Sequence, residues 1–407
     1  DRALQNDWLI CNDSVVSPAS SNALEDLQLR ISLEPIRDLK IDLTANRTRN
    51  RSREIQYMFE GMPDTRSGNF SMSIISIGSA FERPSAGDGY HSGTFERFRR
   101  NLDVIRDRVE SQFLGAQYPQ GSTLAGKTFD PANGTISKHS PDVMIPAFLA
   151  AYTGKSARNS ALDFFPSLFS MMPNWRITYT GLTKIAWFKK NFRSVNLNHA
   201  YRSTYSVGSY NTFQSFMSYM GDIGFVEDVQ SGNPIPSSRF DISMVSINEQ
   251  FSPLIGMDAT LKNGLTAKVE YKTSRILNLS MSACQLVETA SRDFVIGLGY
   301  KIVNFNLFSG RNVKDSKNRV SHDLALRADI SFRNQSALCR DIQQGFAQAT
   351  NGNKALKISC SADYTLSRLL TLRLYYDRQQ NTPLVSSSSY PVVSADFGFS
   401  MKFSLTR

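Results

Sequence analysis

Reactive and metal-binding side chains are scarce in this chain. Its 407 residues include four cysteines (Cys11, Cys284, Cys339, Cys360) and four histidines (His91, His139, His199, His322). No two cysteines stand at CxxC spacing and the histidines lie far apart, which argues against a zinc site. No run of 18 or more apolar residues occurs, so a membrane-spanning helix is excluded. A membrane β-barrel is not excluded, because its strands alternate and average to moderate hydropathy. The net charge of +10 suits nucleic acid, anionic lipid or a charged lumen, but the basic residues are spread along the chain. That dispersal weakens the nucleic-acid reading. The chain opens DRALQNDWLI, without an initiator Met or a signal peptide, as a piece of something longer would.

What the chain has in abundance is alternation. Leu27, Leu29, Ile31 and Leu33 alternate with polar residues, and Leu39, Ile41, Leu43 and Ala45 do so again. The last third repeats the pattern over 265–271, 294–302, 324–332, 356–366 and 393–405. A period of two places each set on one face of an extended strand. Soluble strands cluster near five or six residues, whereas a tilted membrane strand needs roughly 9–11, and several of these runs reach the longer figure. Lys262-Asn263-Gly264 is a hairpin turn signal. Tyr271, Tyr300, Tyr375 and Tyr376 are expected near strand ends, as an interfacial girdle. The competing architecture is a soluble β-sandwich with those aromatics in its core; the full charges on the polar face speak against it.

From about Thr94 to Met172 the pattern turns helical and loopy. Phe95, Phe98, Leu102, Ile105, Val109 and Phe113 recur at helical spacing, with Arg97, Arg100, Arg106 and Arg108 on other faces. That helix either packs on the rest of the protein with a solvated basic face or docks an acidic partner; packing is the favoured reading. A second helix is expected from Ser140-Pro141-Asp142 to near Gly154. The division expected is a leading segment 1–23, strands over 24–92, a helical and loop insert over 93–172, and strands from 173 to 407.

Two chemical motifs fail on context. Gly121, Gly126, Lys127 and Thr128 spell a phosphate-loop pattern, but no buried strand precedes it and Pro131 follows where a helix should run. His91 and Ser92 resemble the His/Ser arrangement of outer-membrane lipases, yet they lie in a glycine-rich stretch that gives them no fixed geometry. No carboxylate pair can be singled out as a catalytic dyad. Cys339 and Cys360 flank an expected loop and could form a disulfide, although a continuous strand through Cys339 would aim the two opposite ways.

Residues 173–182 carry PNWR-x-TY-x-GL, and Asn198 to Tyr210 read NHAYRSTYSVGSY. With PDVMIPAFLAAYTG before them, and PLIGMDATLKNGL and SRILNLSMS after, they resemble the C-terminal part of the type IX secretion system's outer-membrane translocon, the SprA/Sov family of Bacteroidota. The motif residues are Pro173, Asn174, Trp175, Arg176, Asn198, His199, Tyr201, Arg202, Ser203 and Tyr205. The likeness covers most of the chain after about residue 24.

This resemblance implies an all-β fold: an antiparallel transmembrane β-barrel, here an arc of a very large one, with a helical insert. An arc has two open edges, so the remainder of its own barrel chain is an expected partner. The family implies further partners: a porin-like shuttle protein (PorV), a periplasmic plug protein, secreted cargo with a C-terminal signal, and outer-membrane lipid. Nucleic acid, a cofactor, a metal and a catalytic centre are not expected. Lumen-facing candidates are Lys268, Glu270, Arg327, Asp329, Lys357, Asp363 and Lys402. Lipid-facing candidates are Leu326, Ile358, Tyr364, Phe397, Phe399 and Phe403. The chain departs from the usual aromatic barrel terminus by ending Phe403-Ser404-Leu405-Thr406-Arg407. A self-contained outer-membrane porin or uptake barrel is the alternative, and a hydrolase using His91 and Ser92 is a third reading.

Overall fold

A computed structural model describes residues 17–56, 64–303, 323–366, 370–385 and 390–403, together with Gln5, Asn6, Trp8 and Phe305. Sixteen strands follow in chain order: β1 (Ala19–Ile36), β2 (Leu39–Ile55), β3 (Thr65–Ser73), β4 (Asn174–Tyr179), β5 (Phe192–Thr212), β6 (Met217–Met220), β7 (Ile223–Glu227), β8 (Pro234–Ser238), β9 (Phe240–Ile242), β10 (Met244–Leu261), β11 (Leu265–Ser280), β12 (Gln285–Ile302), β13 (Leu324–Asp341), β14 (Ala347–Thr365), β15 (Leu370–Pro383) and β16 (Val392–Phe403). Thirteen of them form one antiparallel sheet in the order β1-β2-β3-β5-β10-β11-β12-β13-β14-β15-β16, with β4 and β9 joined at its middle. The other three, β6–β8, make a small sheet of their own.

β3 and β4 share one position in the large sheet. The upper half of β2 pairs with β3 and its lower half with β4, and both of these pair with β5. The chain leaves that position after Ser73 and returns at Asn174, so the whole insert is spliced into a single strand of the wall. The splice is closed by hydrogen bonds: the Met172 amide donates to the Ser73 carbonyl at 3.1 Å, and Asn174 Nδ2 donates to Ser73 Oγ at 3.2 Å. The segment 74–92, grouped with the strands on sequence, holds 3₁₀ turns and loops and belongs spatially with the insert.

Register turns the alternation of single strands into two continuous faces. One row runs Ile36, Leu39, Tyr179, Leu197, Met257, Val269, Ile296, Ile330 and Ile358 across nine strands from β1 to β14. The adjacent row, on the opposite face, runs Lys40, Thr178, Asn198, Gly256, Glu270, Val295, Ser331, Lys357, Gln379 and Ser394. A slip of one residue in any pair would exchange the faces, so burial chemistry fixes the register.

Strands β11 to β14 are longer than the apolar alternation suggests because each has two halves. The half near the Asn263-Gly264 turn carries the apolar band. That turn forms as expected, with Gly264 at φ +88° and Asn263 Oδ1 accepting from the Leu265 amide at 3.1 Å. Beyond the band, the same face in the middle of the sheet is covered by the insert. Its helices are α1 (Gly93–Ser111) and α2 (Pro141–Tyr152). Phe95, Phe98, Leu102, Ile105, Val109 and Phe113 are all buried, packed with Val143, Ile145 and Phe148 of α2 and with Phe70, Tyr205, Val207, Ile247, Leu277 and Leu279 of the wall. Aromatic rings meet at Phe98–Phe148, 6.0 Å between centroids. The basic residues of α1 divide: Arg108 donates to the Ala157 and Ser160 carbonyls and Arg99 to the Ile342 carbonyl, while Arg97 and Arg100 are exposed.

Several expectations need correcting. Tyr271, Tyr375 and Tyr376 lie in strand interiors; of the four tyrosines only Tyr300 is near a strand end. Cys339 and Cys360 are free thiols: Cys339 pairs in register with Gln348 and Cys360 with Ala328, near opposite ends of the same hairpin. Cys11 lies outside the described residues. Tyr364 sits on the apolar face but is only 7% exposed, with the Phe305 ring edge-on at 6.2 Å. Ser140 makes no side-chain cap bond to α2.

Candidate functional site

Six of the motif residues, Asn174, Trp175, His199, Tyr201, Ser203 and Tyr205, converge on the joint between the wall and the insert. On β5 the odd-numbered members point to the apolar and insert-covered face, the even-numbered ones to the polar face. Trp175 of β4 stands opposite Tyr201, and their rings stack at 4.5 Å. The Trp175 indole N–H donates to His199 Nε2 at 3.1 Å, while His199 Nδ1 lies 2.6 Å from the Leu254 carbonyl. An indole nitrogen can only donate, so His199 accepts at Nε2 and carries its proton on Nδ1. This histidine is fully used in holding β4, β5 and β10 together.

Beneath it lies a buried polar network. The Tyr201 hydroxyl donates to Glu249 Oε1 at 2.8 Å and accepts from the Ser76 amide at 2.9 Å. Ser76 Oγ donates to the same carboxylate oxygen at 2.7 Å and stands 2.9 Å from Ser203 Oγ. The other oxygen, Oε2, takes Arg275 Nη2 at 2.6 Å. Arg275 then donates through Nη1 to the Ser79 carbonyl, also at 2.6 Å. Asn174 Oδ1 accepts from the Ser203 amide at 2.7 Å, and Tyr205 reaches the Phe164 carbonyl of the insert at 3.1 Å. A buried carboxylate with this many donors is compensated, whereas any single deletion strands a partner.

A second buried pair repeats the device further along the sheet. Arg340 donates to Glu288 Oε2 at 3.0 Å and to the Tyr90 carbonyl at 2.6 Å, with its guanidinium 5.5 Å from the Phe95 ring centre. Arg292 reaches the Glu82 carbonyl at 3.2 Å. Wall arginines thus grip the insert at Ser79, Glu82 and Tyr90. Glu249, Arg275, Glu288, Arg340, Ser76 and Ser79 were all missed on sequence. The available signal was that Glu249 and Arg275 interrupt the apolar alternation on a covered face, flanked by Ile247 and Phe251 and by Leu277.

Ser92, the nucleophile of the hydrolase reading, is the N-cap of α1. Its Oγ accepts from the Phe95 amide at 3.1 Å and donates to Glu82 Oε2 at 2.5 Å, and His91 is exposed beside it. Burial would raise the Glu82 carboxyl, but hydrogen bonds from Ser92 and Thr94 and the nearby Arg275 charge outweigh it and hold it below the usual carboxylate range. Burial pushes the Asp142 carboxyl up, at the start of α2, where it accepts from the Ser238 amide. The phosphate-loop lookalike is a hairpin loop. The Tyr118 amide donates to the Lys127 carbonyl, Gly121 and Gly126 have positive φ, and only a 3₁₀ turn (Pro131–Asn133) follows. No group of three or more His, Cys, Asp or Glu side chains gathers for a metal among the described residues.

The polar face carries the remaining motif side chains. Asn198 Nδ2 donates to Asp258 Oδ2 at 3.1 Å, and Arg176 and Arg202 stand exposed above a shallow cleft with Arg30 and Asp42. Pro173 is the last residue before β4. Lys268, Glu270, Arg327, Asp329, Lys357, Asp363 and Lys402 all lie on this face by register. Glu270 is paired with Lys268 and Lys272 at 3.0 and 2.9 Å, and Asp363 with Arg373 at 3.5 Å. Leu326, Ile358, Phe397, Phe399 and Phe403 lie on the other face, Phe397 being 72% exposed. No helix among the described residues is long and apolar enough to cross a membrane. Compared with known proteins, the chain matches no family model and no curated protein.

Proposed function

We propose that the chain is an arc of the wall of a protein-conducting outer-membrane barrel, of the type IX secretion translocon kind that its motifs resemble. The observation that carries this reading is the two-faced sheet. A band of exposed apolar side chains spans the sheet on one face, and the row behind it is polar. On β13 the band runs from Leu324 to Phe332, about 27 Å along the strand, or about 21 Å at a tilt of about 40°, against roughly 25 Å for the apolar band of outer-membrane barrels. Leu326, Ile358, Phe397, Phe399 and Phe403 then face lipid, and the charged face that includes Lys268, Arg327 and Asp329 lines an aqueous lumen.

Both ends of the described sheet are open: β1 pairs only with β2, and β16 only with β15. In lipid, unpaired strand edges are prohibitively costly, so the arc closes with the remainder of its own barrel chain. A self-contained uptake barrel would instead pair its first strand with its last. The conducting role needs no cofactor, since the chain supplies a path and its partners the drive. Those partners are cargo with a C-terminal signal, a porin-like shuttle and a periplasmic plug, in the outer membrane of a Bacteroidota-type cell. The test is depletion of the parent polypeptide: the chain should fractionate with the outer membrane, and signal-bearing cargo should accumulate in the periplasm. Unimpaired cargo export after depletion would sink the reading.

A further inference from the structure

β2 changes character half-way along one face. Leu39, Ile41, Leu43 and Ala45 are followed, with no break in the alternation, by Arg47, Arg49, Arg51 and Arg53. Beside them, β1 runs from Leu33, Ile31, Leu29 and Leu27 to Glu25, Ala23 and Ser21. An apolar strip therefore ends where a ladder of guanidiniums begins, on one continuous surface at the edge of the sheet.

The ladder has more cations than the protein neutralises. Arg47 and Arg51 share Glu25; Arg53 and Arg66 share Asp64; Arg66 and Arg239 share Asp222. Arg49 has no ion pair among the described residues: its guanidinium lies 4.8 Å from the Phe165 ring centre, and its Nε is buried without a partner. Among the described residues these six arginines thus have three ion-paired carboxylates between them, with Asp142 and Asp163 lining a neighbouring cavity beside Arg49. Arg49, Arg51, Arg53 and Arg66 line one cavity of about 360 Å³, walled also by Asp222, Tyr210 and Phe240. Like charges held on alternate residues of a strand repel, so this arrangement stores a demand for outside anions. Guanidinium forks match phosphate oxygens in geometry as well as charge.

We propose that this ladder binds the phosphoryl groups of a phosphorylated membrane glycolipid, its acyl chains lying along Leu27–Leu33 and Leu39–Ala45. The inference rests on the membrane reading above. Two features select a glycolipid over a free anion or a simple phospholipid. The apolar strip continues directly below the arginines, with Ile31 54% exposed, so the surface suits an amphiphile. From Arg49 to Arg53 the ladder extends about 14 Å along the strand, too far for one phosphate and suited to a saccharide that carries more than one.

The test uses the full chain extracted from outer membranes into nanodiscs, with native mass spectrometry of retained lipid. Three probes are compared: bisphosphorylated glycolipid, phosphatidylglycerol and inorganic phosphate. Wild-type protein should retain the glycolipid selectively. Arg49→Gln, which leaves no carboxylate unpaired and so spares the fold, should weaken retention about tenfold, the factor for one lost charge-assisted contact. Arg49→Lys should restore part of it. Equal retention by wild type and Arg49→Gln would overturn the proposal while leaving the membrane reading intact, and so would retention of inorganic phosphate or phosphatidylglycerol as tight as that of the glycolipid. Absence of the chain from the outer membrane would overturn both.

Discussion

The Glu249 carboxylate and the Arg275 guanidinium stand directly opposite on β10 and β11, 2.6 Å apart, and both side chains are almost wholly removed from water. The pair lies between the exposed apolar band and the dry core under the insert, and it holds both strands to Ser76 and Ser79. Breaking it by Glu249→Gln leaves a buried cation without its counter-charge and should cost about 3–5 kcal/mol. Hydrogen exchange should locate the loss in segment 74–92, ahead of the wall strands. The double variant Glu249→Leu/Arg275→Leu should lose less than the two single changes summed, because no charge is stranded.

Tyr201→Phe is a milder cut in the same network. It removes one donor to Glu249 and orphans the buried Ser76 amide, so a loss of about 1–3 kcal/mol is expected. Measured by denaturant midpoint at constant slope, the loss should be non-additive with Glu249→Gln, since both act on one carboxylate oxygen.

Ser92→Ala distinguishes a cap from a nucleophile. Losing the cap should destabilise α1 by about 1 kcal/mol and speed exchange at the Phe95 amide. Esterase or lipase activity of the preparation should be the same before and after the change. A variant with native thermal stability and abolished hydrolysis would revive the enzyme reading.

Glu82 supplies a pH dependence with a definite sign. Its carboxyl is held below the ordinary range because Ser92, Thr94 and the Arg275 field outweigh burial. A depressed folded value means that the stabilisation is complete above the unfolded carboxyl's pKa of about 4.3 and is lost as pH falls through the folded value. Protection of the Thr94 and Phe95 amides should therefore hold at neutral pH and fade on acidification below about 4.3. Glu82→Gln should flatten that dependence.

Much of the wall was readable because each strand repeats a simple constraint. Leu324, Leu326, Ala328, Ile330 and Phe332 alternate with polar neighbours, and so does the strand beside them. The helix α1 was readable for the same reason at a different period. What was not readable depends on contacts across great distances in the chain. Nothing local in Ser73 or Asn174 says that they are adjacent, because the splice is a property of β2 and β5, which flank them. Glu249 and Arg275 looked like ordinary strand charges until the insert covered that face. The motif around Tyr201 was legible as a motif, but its role in docking the insert needed Ser76, which lies 125 residues away.

The central claim, that one face of the sheet meets lipid and the other water, is tested most directly by nitroxide labels at neighbouring positions of opposite face. Single labels would be placed at Ile330 and Asp329, and at Ile358 and Lys357, with Cys11, Cys284, Cys339 and Cys360 replaced. Relaxation by dissolved oxygen, which concentrates in hydrocarbon, is compared with relaxation by a polar nickel chelate. The account predicts oxygen dominance at Ile330 and Ile358 and chelate dominance at Asp329 and Lys357. Chelate dominance at all four positions in reconstituted membranes, or oxygen dominance at Asp329 and Lys357, would contradict it.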